Sequence, residues 1–142
     1  MSAIKASHKH FVLGDSIAHG TAEALGWPGN YQDGRSYALI CQEPVPYNVE
    51  VLVVSTLTNP QPKSHHDWLE LEPSLVKIRG KVGPETKVIW ILPSPKFPKE
   101  RQVILDFAKK HNDKTVGFIT GPDHIHPASY HHLAQAVLAS IE

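Results

Sequence analysis

The run Phe11-Val12-Leu13-Gly14-Asp15-Ser16-Ile17 decides the fold. Three apolar residues stop at a glycine, an acid and a hydroxyl, and the Ala-rich segment Ile17 to Leu25 follows at once. That pattern is a buried strand ending at Leu13, a turn that Gly14 makes without a Cβ clash, and a helix. Ser16 then lies where the helix begins, beside backbone N–H groups that have no partner within the helix. Two readings are open here. Asp15-Ser16 is a plain helix cap, because both residue types are favoured there. Alternatively, Ser16 is a nucleophile whose developing negative oxygen meets those N–H groups and the positive end of the helix dipole.

Working outward, the same alternation recurs along the chain. Gly26, Pro28 and Gly29 stop the first helix, and residues 26–35 hold so many turn formers that a second strand is at most a stub at Asn30–Gln32. Gly34 follows it, and Ser36 can cap a helix to about Glu43 that buries Tyr37, Ile40 and Cys41 before Pro44 and Pro46. Val49 to Ser55 is β-branched and almost wholly apolar, as a central parallel strand covered on both faces should be. Residues 59–66 read as an exposed loop. Trp68, Leu71, Leu75, Ile78 and Val82 then recur at helical spacing, with Pro73 marking a kink or the true start of the helix. Lys87 to Leu92 is another strand, followed by Pro93-Ser94-Pro95. Pro98 opens a helix that turns Val103, Ile104, Phe107 and Ala108 inward and ends in Lys109, Lys110 and His111. Thr115 to Ile119 is the last strand, and Pro127 starts a terminal helix with Tyr130, Leu133, Val137, Leu138 and Ile141 on one side. Strands alternating with helices predict an α/β fold. The expected form is a flavodoxin-like three-layer α/β/α domain with a central parallel sheet of four to five strands, spanning residues 1–142 as one unit.

In such a sheet, ligands bind beyond the carboxyl ends of the strands. Ser16, Gly34 and Asn59 each follow a predicted strand. So does the loop Gly121-Pro122-Asp123-His124-Ile125-His126-Pro127, which sets an acid three residues before a histidine. A serine hydroxyl attacks only if a base takes its proton as the new bond forms. His126 is the candidate base, and Asp123 the acid that folds back to hold its other ring nitrogen and stabilise the imidazolium.

These residues resemble the SGNH, or GDSL-type, hydrolase family. Gly14-Asp15-Ser16-Ile17 is similar to its first motif and Asp123-x-x-His126-Pro127 to its last, so the likeness spans nearly the whole chain. Between them Gly34 matches the glycine after the family's second strand and Asn59 the asparagine after its third. Leu57 and Pro60 stand where the family's third motif has glycine and aspartate, which leaves the shape of that loop and its substrate contacts open. The resemblance implies the SGNH hydrolase fold and a Ser16–His126–Asp123 triad. It implies an oxyanion hole from the N–H groups of Ser16 and Gly34 and the Asn59 amide, with no cofactor and no metal. The implied reaction is ester hydrolysis through an acyl-enzyme. A short neutral chain without a lid-like apolar insertion fits a small acyl group, such as acetyl on a carbohydrate or cell-wall polysaccharide. Short forms with Gly-Asp-Ser-Ile-Ala near the start and Ser-Thr-x-x-Asn at the third motif also resemble accessory domains of bacteriophage particles. The alternative is a non-catalytic module on the same fold that binds a sugar or other ligand, with Ser16 only a cap.

Composition narrows the partners. With 14 basic and 14 acidic residues the formal charge is zero, against a general electrostatic grip on nucleic acid or anionic lipid. At 142 residues a domain buries roughly 70% of its unfolded surface and needs no staples. Cys41, the single cysteine, lies in an apolar stretch and reads as core filling. Neither a signal peptide nor a run of membrane-span length is visible. The expectation is therefore a soluble protein, cytoplasmic or, if phage-derived, virion-associated. The ten histidines raise a zinc site as a rival reading, from His65-His66, His124, His126 and His131-His132. Against it stand the lone cysteine, the adjacent pairing of the histidines and the absence of His-Glu-x-x-His. His124 then reads as a loop residue beside the site, His131 and His132 as exposed, and His19 as a first-turn residue near the cleft.

Overall fold

The computed structural model describes residues 9–59 and 69–141. Five parallel strands form one sheet: β1 (His10–Gly14), β2 (Gly29–Tyr31), β3 (Val51–Ser55), β4 (Lys87–Ile91) and β5 (Lys114–Val116). Their spatial order is β2-β1-β3-β4-β5. The helices are α1 (Ser16–Leu25), α2 (Tyr37–Ile40), α3 (Leu71–Arg79), α4 (Pro98–His111) and α5 (Tyr130–Ile141). Because side chains alternate across a strand, each central strand feeds two cores. Phe11, Leu13, Leu52, Val54, Val88 and Trp90 meet Ile40 of α2, Leu75 and Ile78 of α3, and Ile104 and Phe107 of α4. Val12, Val51, Val53, Ile89 and Ile91 meet Ile17, Ala18 and Ala22 of α1 and Leu133 and Val137 of α5. This is the expected three-layer α/β/α arrangement. Apolar runs without polar alternation are what a sheet covered on both faces demands.

Register carries the geometry to the site. Gly14 pairs with Ser55, so β1 and β3 end at the same level. A Cβ on Gly14, whose φ is 150°, would collide with the Ser55 carbonyl. Glycine is required there because the two backbones close on each other where the chain turns into α1.

Several boundaries differ from the sequence reading. The second strand is a stub, displaced by one residue to Gly29–Tyr31. The helix capped by Ser36 is a single turn to Ile40, not a run to Glu43; Gln42 and Glu43 continue as tight turns onto Leu39 and Ile40 ahead of Pro44. Val49 is buried but precedes the ladder, which starts at Val51. Pro73 falls in the first turn of α3, where its missing N–H costs nothing, so it marks the start and not a kink. Trp68, His65, His66 and Pro60 lie outside the described residues. The last strand stops at Val116 because the neighbouring strand runs out: Leu92 N–H bonds the Val116 carbonyl, and Pro93 has no N–H with which to continue. Pro127 does not open the terminal helix. It bridges Thr120, and α5 starts at Tyr130 with the Ser129 hydroxyl accepting from the His132 N–H. Leu138 is exposed, while Leu133, Ala134 and Val137 are buried.

Candidate active site

Of Asp15 and Ser16, only Asp15 caps the helix through its side chain. Asp15 is the cap: Oδ1 accepts from the N–H groups of Ile17 (3.0 Å) and Ala18 (3.4 Å) and from the Ser55 hydroxyl (2.8 Å). Its side chain is fully buried and Oδ2 has no hydrogen-bond partner. Burial is the main reason its carboxyl is raised from 3.8 to about 6, against the lowering effect of the Ser55 and backbone donors. Ser16 is the first helical residue, and its hydroxyl is released from capping. It donates instead to Nε2 of His126 at 2.9 Å, across 110 residues of chain.

His126 is presented by a small antiparallel loop. The Gly121 N–H bonds the His126 carbonyl and the Ala128 N–H bonds the Ile119 carbonyl, both at 2.8 Å, closing the Thr120–Pro127 bridge. Inside the loop Asp123 Oδ1 accepts from the N–H groups of Ile125 and His126, each at 2.9 Å. That leaves Oδ2 to accept from Nδ1 of the His126 ring at 2.6 Å. The backbone N–H of His126, then that of Ile125, then the His126 ring hold the Asp123 carboxyl well below the usual carboxylate range. The three side chains thus form one hydrogen-bonded chain of hydroxyl, imidazole and carboxylate.

Gly34 and Asn59 lie in the loops after β2 and β3, each loop fixed by backbone ties. Gly34 turns at φ 78° after β2, in a loop that Gln32 anchors by donating to the Gly14 carbonyl (3.2 Å). Arg35 reaches the same carbonyl with Nη1 at 3.5 Å and the Asn30 carbonyl and side-chain oxygen at 3.3 and 3.1 Å. The Asn59 carbonyl accepts from the Tyr37 N–H at 2.8 Å, joining the loop after β3 to the start of α2. Leu57, where the family motif would carry glycine, is buried with φ 71°. The left-handed turn is therefore kept without the glycine that makes it cheap, at about 1 kcal/mol of backbone strain, and its side chain joins the core below.

Two structures solved from Bacteroides resemble the chain. A GDSL-like lipase from Bacteroides thetaiotaomicron aligns at a TM-score of 0.65 and 14% identity, covering 96% of this chain and 88% of that one. A protein assigned as an acylhydrolase from Bacteroides fragilis aligns at 0.66 and 14%, covering 94% and 86%. The chain has the SGNH hydrolase fold. No family model matches it, and no curated protein matches its sequence.

Within this SGNH hydrolase fold some side-chain contacts were invisible in the sequence. Tyr130 lies against α1, where a Cβ on Gly20 would run into its ring. Burial first, then the charges of Asp15, Asp33 and Asp123, push its hydroxyl up to about 12. His19 bridges Asp33 and Glu23, both at 3.0 Å, and stacks on Tyr31. The bond to Asp33 is the largest cause of its raised pKa, with Glu23 adding to it against partial desolvation. Arg35 carried one clue, its position directly after Gly34; the Tyr130–Gly20 contact had none. Among the described residues no cluster of three or more His, Cys, Asp or Glu side chains is gathered as a metal site needs. His124, His131 and His132 are exposed, and Cys41 is buried and unpaired. A depression of about 670 Å³ lies along the β2 edge beside Phe11, Asn30 and Pro44–Pro46; none of Ser16, Asp123 or His126 lines it.

Proposed function

We propose that the protein is a serine esterase of the SGNH type that hydrolyses a small acyl ester through an acyl-enzyme on Ser16. The observation that carries this reading is the continuous chain from the Ser16 hydroxyl through His126 to Asp123 at the carboxyl edge of the sheet. In this mechanism Nε2 of His126 takes the Ser16 proton as Oγ attacks the ester carbonyl, and Asp123 stabilises the imidazolium. The proton then passes to the departing alcohol, and the same base activates the water that releases the acid. Asp15 occupies the Ile17 and Ala18 N–H groups, so the Ser16 N–H is the first-turn donor left for the oxyanion. Gly34 N–H and the Asn59 side-chain amide complete the hole.

That Asp15 alone caps α1 also weakens the non-catalytic reading, because Ser16 is not needed for capping. The substrate class we favour is an acetyl or similarly short ester on a carbohydrate, for which a neutral chain with no lid-like apolar insertion is suited. Initial rates on 4-nitrophenyl esters of graded length test both parts. Acetate should be turned over fastest, and Ser16→Ala should lose at least about 10³-fold in kcat with its fold intact. Full activity in Ser16→Ala would refute the reading, and a preference for long chains would refute the substrate class.

A further inference from the structure

The loop after β4 reaches the site from a strand that supplies none of the triad. Ser94, set between Pro93 and Pro95, is only 1% exposed. Its Oγ accepts from the Lys96 N–H at 3.1 Å, which turns its own proton toward the carbonyl of His124. The loop itself is stiffened by prolines on both sides, by the Phe97 N–H on the Ser94 carbonyl (2.9 Å) and by Arg101 on the Pro93 carbonyl (2.7 Å).

The carbonyl of His124 and the N–H of Ile125 belong to one planar peptide unit, so they point in opposite directions. At one end of that unit stands the Ser94 hydroxyl; at the other, Asp123 Oδ1 accepts the Ile125 N–H at 2.9 Å. His124 meanwhile sits at φ 61°, a left-handed conformation that costs a residue with a Cβ more than it costs glycine. Its side chain is exposed, so what holds the turn acts on the backbone. Rotation of this peptide would withdraw one of the two N–H groups that fix Asp123 Oδ1. Oδ2 would then lose its aim at His126.

We propose that Ser94 is a positioning residue: through the 124–125 peptide it sets the Asp123 carboxylate, and by way of His126 it keeps Nε2 in line with Ser16. The proposal rests on the esterase reading for its kinetic consequence, but its geometric part stands apart from it. Ser94→Ala should lower kcat roughly tenfold with KM little changed, the cost of a small misplacement of the base. In the proton spectrum the low-field resonance of the His126 Nδ1–H on Asp123 should broaden or vanish. A merely structural serine would lower the melting temperature and move neither. His124→Gly, which makes the left-handed turn cheap, should restore both kcat and the resonance in the Ser94→Ala background, and alone should stay near the parent. Should Ser94→Ala not fold, Ser94→Cys, of similar size and weaker as a donor, carries the same expectations. The proposal falls if the resonance persists in the Ser94 variant, if His124→Gly fails to restore it, or if kcat stays within about twofold of a parent that turns over ester. A parent with an intact, Ser94-dependent resonance and no ester turnover would overturn the esterase reading and leave the positioning role standing.

Discussion

Asp15 shows how much one side chain is asked to do beside Ser16. It caps α1, binds Ser55 of the neighbouring strand and keeps Ser16 free of the capping role. The cost is a buried carboxyl with an unpartnered oxygen and a folded-state pKa of about 6 against 3.8. The sign of the linkage follows. At pH values below 3.8 the group is protonated in both states and favours neither. Between 3.8 and about 6 the folded chain keeps a proton that the unfolded chain has released, so stability falls as pH rises. Above that window the loss is complete, about 3 kcal/mol as an order of magnitude. Asp15→Asn cannot titrate. Urea unfolding of both proteins should therefore show the parent losing stability relative to Asp15→Asn as the pH is raised through this window. Parallel profiles would mean that Asp15 is not the buried, raised carboxyl described here.

Among the elements, the contact of α1 with α5 ties the helix that carries Ser16 to the helix that follows His126. Tyr130 lies so closely on Gly20 that there is no room for a Cβ. Gly20→Ala should destabilise the parent by about 1–3 kcal/mol, the usual cost of overpacking. In a Tyr130→Ala background the clash is gone and alanine is the better helix former, so the same substitution should stabilise by up to about 1 kcal/mol. A double-mutant cycle on unfolding free energies reads this reversal directly; additive effects would show that the two helices do not meet there. The elements themselves were legible wherever composition reports burial. Val51–Val54 and Val88–Ile91 are apolar because they are covered on both faces, and the α3 stripe of Leu71, Leu75 and Ile78 faces the core as its spacing requires. What misled was local chemistry overruled by pairing. Ile119 is β-branched, yet it is exposed because Pro93 ends the neighbouring ladder. Pro127 is a good first residue for a helix but is held in the bridge to Thr120, and the Ser129 that caps α5 was in plain sight two residues on.

The whole molecule brings Ser16, Asp123 and His126 together where the strand order reverses. The chain runs from β1 out to β2 and then back past β1 to β3, so the switch point of the sheet lies between the carboxyl ends of β1 and β3. Ser16 and Asn59 stand on the two sides of that switch point, and the loop after β5 brings Asp123 and His126 back to Ser16. No helix among the described residues is long and apolar enough to cross a membrane. That Ser16, Asp123 and His126 come together was legible because a serine after a strand and an acid three residues before a histidine are distinctive residue types at a distinctive spacing. Ser94 was not, because a hydroxyl bonding a distant backbone carbonyl leaves no mark in either partner's identity. The measurement that bears most directly on the central claim is mass mapping of a fluorophosphonate adduct, since only an activated serine in a working oxyanion site reacts. The expected result is a single adduct on Ser16, absent in Ser16→Ala and formed at least about 10²-fold more slowly in folded His126→Ala. A folded parent that stays unlabelled, or an adduct on any other serine, would contradict it.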